Sequence, residues 1–179
     1  LIRTPLEEII KRAGFNTRIL IIGSGFLAYV AHRTLLSHYI QFDTLDILGK
    51  SNSHLFKKQV TQPNGQYDIV IDISDKPDYI HDDIFNDNAL LVLAATKFPS
   101  SEIDFSNMLW KNMTIKLPSP RSIYFDECMR EAESAIRSDA LNVDNFWTKG
   151  YNRDTEWQDA FKDALNRPLN YNRGYIKWQ

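Results

Sequence analysis

Arg18-Ile19-Leu20-Ile21-Ile22-Gly23-Ser24-Gly25-Phe26-Leu27-Ala28 is the stretch whose reading decides the fold. Four consecutive aliphatic residues, Ile19 to Ile22, predict a strand buried on both faces, as strands of parallel sheets are. Gly23 and Gly25 then predict a tight turn. Beyond them Leu27, Val30, Ala31, Thr34 and Leu35 recur at i, i+3, i+4, i+7 and i+8, which is one face of a helix.

Between that strand and that helix, Gly23-x-Gly25-x-x-Ala28 has the spacing of the dinucleotide-binding fingerprint. Gly23 allows the sharp turn, Gly25 lets a pyrophosphate approach the main chain, and Ala28 lets helix and strand pack closely. The N–H groups that open the helix, with its macrodipole, favour an anion. Gly23, Ser24, Gly25, Phe26 and Leu27 are therefore candidate cofactor-binding residues. The alternative is a turn that packs well and binds nothing.

Thr44 to Leu48 reads as a second strand, closed by Gly49-Lys50-Ser51-Asn52. A site for NAD carries an acidic residue at this strand end, to hold the ribose 2′-hydroxyl. Here Gly49 stands there, leaving room for a 2′-phosphate. Lys50 supplies positive charge, and Ser51 and Asn52 supply donors. Asp46, inside the strand, is expected to point into a face of the sheet and away from the ribose. The loop thus predicts NADP in preference to NAD; the alternative is a polar loop with a solvated lysine.

Working outward, Thr4-Pro5-Leu6-Glu7 has the form of a capping box opening a helix that Gly14 stops. Residues 54–60 suggest a short helix and a minor strand. Strands are expected at Tyr67–Ile73, closed by Ser74; at Ala89–Ala95, with small residues at its end; and at Met113–Leu117. Phe125 to Ile136 keeps helical spacing and puts Cys128 on an apolar side as a buried thiol. Residues 145–151 read as extended. A helix capped by Asp154 follows, with Trp157, Ala160, Phe161, Ala164 and Leu165 on its apolar face, and Tyr175–Trp178 reads as a closing strand. Alternating strands and helices predict an α/β fold: a Rossmann-type doubly wound parallel sheet of about six strands with helices on both faces. Ligands of such sheets bind beyond the carboxyl ends of the strands. That rule adds Ile73, Ser74, Ala94, Ala95 and Thr96 to the candidate site.

At 179 residues, 43% of them hydrophobic, the chain can bury one substantial core, and a single domain over 1–179 is expected. A net charge of −2 gives no footprint for nucleic acid. No apolar run approaches the ~20 residues that span a bilayer, so no membrane is expected. The single cysteine excludes an internal disulfide and suits a cytoplasmic protein. The chain begins at Leu1 without an initiator methionine, as a processed or trimmed chain would.

In this order of elements the chain resembles the medium-chain dehydrogenase/reductase family, which includes alcohol and polyol dehydrogenases. The likeness rests on Ile19 to Gly25, Tyr67 to Asp72, Trp110 to Ile115, Asp159 to Ala164 and Asn172 to Trp178. It covers most of the chain but only the cofactor-binding half of the family's pattern. The resemblance implies that Arg173 reaches the cofactor pyrophosphate, though a surface arginine would read the same. It implies a dimer formed by extending the sheet through the sixth strand. It also implies a parent enzyme that moves hydride between the cofactor and an alcohol or sugar alcohol. The family's catalytic zinc ligands come mostly from an amino-terminal domain, and its structural zinc uses four cysteines; this chain has one. Zinc, if used, is expected only in a domain this chain lacks, and neither metal ligands nor catalytic residues are assigned. His32, His38, His54 and His81 show no ligand spacing. Two further readings remain at this point. One is an S-adenosylmethionine-dependent methyltransferase, which would want an acidic residue closing the second strand. The other is a non-catalytic module that senses a nucleotide or serves oligomerisation.

Overall fold

The computed structural model describes residues 2–49, 52–74, 80–94, 105–119, 121, 123–166, 168 and 171–178. The chain falls into two compact units, Leu1–Glu131 and Ala132–Gln179.

The first unit is built on six strands: β1 (Arg18–Ile22), β2 (Thr44–Leu48), β3 (Gln59–Val60), β4 (Tyr67–Asp72), β5 (Phe85–Leu93) and β6 (Thr114–Lys116). They form one sheet in the order β3-β2-β1-β4-β5-β6, every pair parallel. This is the doubly wound, Rossmann-type order, with its reversal between β1 and β4. Helices α1 (Arg3–Arg12), α2 (Phe26–Ser37) and α3 (Phe105–Trp110) flank the sheet, and α4 (Phe125–Arg137) begins in this unit. The aliphatic run does what its composition requires, for Ile19 to Ile22 are all fully buried. Leu20 and Ile22 join Leu48, Val70 and Leu91 in a core closed by Tyr67, Phe85 and Met108. Each such side chain contributes about 1.5–3 kcal/mol by leaving water.

Several local expectations change. The capping box at Thr4 does not form: α1 starts at Arg3, Ile2 precedes it, and no side chain caps it. Tertiary contacts set that start instead. Ile2 is buried, and the Arg3 guanidinium meets Glu127 at 3.3 Å and lies over the Tyr124 ring. The fifth strand begins at Phe85, four residues before Ala89. Phe85 pairs with Tyr67 across an irregularity between Tyr67 and Ile69, and both rings are fully buried there. Cys128 is half-buried on α4, a helix with no fully buried residue among those described.

In the second unit β7 (Trp147–Asn152), α5 (Trp157–Asn166) and β8 (Arg173–Lys177) make a small parallel crossover. The closing strand thus pairs with β7 in a sheet of its own. Asp163 of α5 fastens the crossover, accepting from Lys149 Nζ at 2.8 Å and Tyr151 Oη at 2.7 Å. Burial, then the bond to Asp163, pushes the Tyr151 phenol well above its ordinary pKa.

Candidate functional site

The carboxyl ends of β1, β2, β4 and β5 meet around the glycine turn. Gly23 has φ of +120°, a conformation that side chains other than glycine rarely adopt. Its N–H donates to Leu48 O at 2.8 Å, which ties the turn to the end of β2. A Cβ on Gly23 would stand 3.6 Å from Ile73 C and Ser74 N, so the turn backs onto the end of β4. Gly25 is the residue before α2, and no side chain caps that helix start. The direction its Cβ would take is open among the described residues, with no heavy atom beyond its chain neighbours within 4 Å. Main chain at a helix start, with Gly25 exposed beside it, is a fit for a diphosphate.

The next strand end is packed against this turn. The volume a Cβ on Gly49 would take is already filled by Ser24, with Oγ at 2.3 Å and Cβ at 2.5 Å. The space a side chain at Gly49 would need is therefore taken up by Ser24, itself buried. Asn52 Nδ2 donates to Ser24 O at 2.9 Å, with Asn52 at φ of +56°. Asn52 thus holds the β2 loop to the glycine turn.

At the end of β4, Asp72 is fully buried, and its Oδ1 accepts from both Ser74 N–H and Ser74 Oγ at 2.8 Å. Ile73 N–H donates to Ile22 O at 2.9 Å, and Ala94 N–H donates to Asp72 O at 2.8 Å. Gly23, Ser24, Gly25, Gly49, Asn52, Ile73, Ser74 and Ala94 are thus brought to one rim. Phe26 and Leu27 open α2 beside them, Leu27 exposed. Lys50, Ser51, Ala95 and Thr96 lie outside the described residues. Arg173 is exposed at the start of β8, in the second unit.

The sequence reading missed what holds this rim. Asp72 was legible as an Asp-x-Ser turn, in which a carboxylate takes the N–H two residues on. Asp46 does point into the sheet, fully buried; it accepts from Tyr67 Oη at 2.7 Å, and Lys58 Nζ lies 2.8 Å away. Burial raises the Tyr67 phenol above its ordinary value. Across the loop, His32 of α2 is buried against Phe56. Among the described residues, no three His, Cys, Asp or Glu side chains are grouped to hold a metal ion. Nor, among the described residues, is any helix long and apolar enough to cross a membrane.

No family model matches the sequence, and no curated protein is similar to it in sequence. Solved structures share the fold. L-idonate 5-dehydrogenase from Escherichia coli superposes with a TM-score of 0.72 at 12% identity, over 92% of this chain and 51% of its own. A short chain alcohol dehydrogenase from Escherichia coli, complexed with NADH, gives 0.70 at 11% identity, over 98% and 55%. A candidate zinc-binding dehydrogenase from Sinorhizobium meliloti, bound to NADP, gives 0.63 at 13%, over 86% and 51%. The chain spans about half the length of each of these structures.

Proposed function

We propose that residues 1–179 act as the nicotinamide-dinucleotide-binding domain of an alcohol or polyol dehydrogenase. The observation that carries this reading is Gly25, open to solvent where β1 hands over to α2 in a doubly wound sheet. Structures that share the fold include one complexed with NADH and one bound to NADP, which favours a dinucleotide over other nucleotides. The cofactor supplies hydride chemistry at a hydroxyl or carbonyl carbon of a small alcohol or sugar alcohol. This chain supplies binding and orientation: Gly23 to Leu27 hold the diphosphate, and Ile73, Ser74 and Ala94 to Thr96 line the nicotinamide side. Catalytic residues, and zinc if the enzyme uses it, come from outside this chain.

NADP is the preferred dinucleotide in this reading. Its basis is Lys50 with Ser51 and Asn52 as donors, because Gly49 is committed to Ser24. The protein works in the cytoplasm as a homodimer joined through β6, the strand at one edge of the sheet. Calorimetric titration with NADPH and NADH tests the specificity. Lys50→Ala is expected to weaken NADPH by about tenfold, the effect of one charge-assisted contact, and NADH much less. Equal losses would contradict the NADP preference.

A further inference from the structure

The loop after β2 returns to the glycine turn and to the helix that follows it. At one end Asn52 Nδ2 bonds Ser24 O, and Leu55 N–H donates to Asn52 O at 2.9 Å. At the other end Phe56, 7% exposed, meets the His32 ring edge-on at 5.6 Å and the Tyr29 ring at 6.4 Å. His32 and Tyr29 both belong to α2. Two clasps therefore hold the loop: Asn52 with Ser24 in the glycine turn, and Phe56 with His32 on α2.

His32 is an unusual choice for the second clasp. It is 6% exposed, and its Nδ1 has no hydrogen-bond partner among the described residues. An apolar side chain of the same shape would fill the space without a buried nitrogen to satisfy. Among the described residues, the charges that bear on it are Arg33 on its own helix and Lys57 on the loop, both positive. Burial first, and then these two cations, holds the imidazole below its ordinary pKa. The neutral ring fits this place; an imidazolium would be buried without a counter-charge among the described residues.

We propose that His32 is a pH-sensitive positioning residue, which when neutral clasps the loop Asn52–Lys58 to α2 and when protonated releases it, weakening dinucleotide binding. The inference rests on the dinucleotide reading for its effect on binding, but not for its effect on the loop. The sign follows from the lowered pKa. The released histidine takes up a proton near its ordinary pKa of about 6.5, and the clasped one only at lower pH. Clasping is fully favourable above that value and is lost as pH falls through the lowered one. Because one proton is involved, the loss cannot exceed about tenfold per pH unit.

Two measurements on the full chain test it. Amide hydrogen exchange over residues 52–58, corrected for the chemical pH dependence of exchange, reads the loop with no ligand added. Calorimetry with NADH, which carries no 2′-phosphate to titrate, reads the site. Protection of the loop and affinity for NADH are expected to fall together below about pH 6.5, and His32→Phe to abolish both slopes. Phe56→Leu, which opens the pocket, is expected to bring the His32 ring-proton titration back up towards its ordinary value. The proposal is overturned if loop protection in the unaltered chain follows that of His32→Phe across the range, or if His32 titrates normally before the pocket is opened. Absence of NADH binding at every pH would instead refute the dinucleotide reading, and the exchange data would still decide the clasp.

Discussion

Ser24 sits in the volume that a side chain at Gly49 would need, its Oγ 2.3 Å and its Cβ 2.5 Å from where that Cβ would be. Two strand ends that are 25 residues apart in sequence thereby lock into one rim, with Asn52 bonding the same serine from the loop side. The glycine after β2 serves packing within the protein.

That relationship predicts the outcome of filling it. Gly49→Ala is expected to destabilise the chain by about 1–3 kcal/mol, the usual cost of forcing a methyl into a packed place. Ser24→Gly introduced into that variant should recover most of the loss. Thermal unfolding of the two variants checks it, and additive losses would mean the two residues do not share this space.

The two glycines of the turn are expected to behave oppositely. Gly23→Ala must hold an alanine at φ of +120° and should cost about 1–3 kcal/mol in stability. A Cβ on Gly25 meets no atom of the described residues beyond its chain neighbours, and φ there is −88°, so the stability of Gly25→Val should stay close to that of the unaltered chain. Denaturant titrations of both variants give the comparison.

How much of this was legible follows from where the information sits. Ile19 to Ile22 and the glycine spacing are local signals, strong enough to place β1, the turn and α2 without any partner. β4 and β5 were legible from aliphatic runs, β2, β3 and β6 from shorter mixed stretches, and the inward turn of Asp46 from its place inside β2. What was not legible is set by contacts distant in sequence. Ser24 against Gly49, His32 against Phe56, and Asp46 with Tyr67 and Lys58 join residues that no periodicity relates. The start of α1 at Arg3 belongs with these, because Glu127 and Tyr124 fix it from more than a hundred residues away. The pairing of β8 with β7 was hidden for a related reason. A strand pattern shows that a segment is extended and does not show which neighbour it will find.

In the second unit Asp163 carries a prediction about acid. Lys149 first, and then Tyr151, holds its carboxyl below the ordinary carboxylate range. A lowered carboxylate stabilises the fold above its ordinary pKa, and that contribution is lost as pH falls through the lowered value. Unfolding followed by the fluorescence of Trp147, Trp157 and Trp178, with Trp110→Phe to silence the first unit, should show a midpoint that drops in acid. Asp163→Asn should lower the midpoint at neutral pH and flatten that drop.

The central claim is that the main chain at Gly25 was left open to receive a dinucleotide diphosphate, and calorimetric titration of NADPH and NADH into the unaltered chain and into Gly25→Val tests it most directly. The account predicts saturable binding at one site per chain, with loss of both dinucleotides in the folded Val variant. No binding to the unaltered chain, or equal binding to the two, would contradict it.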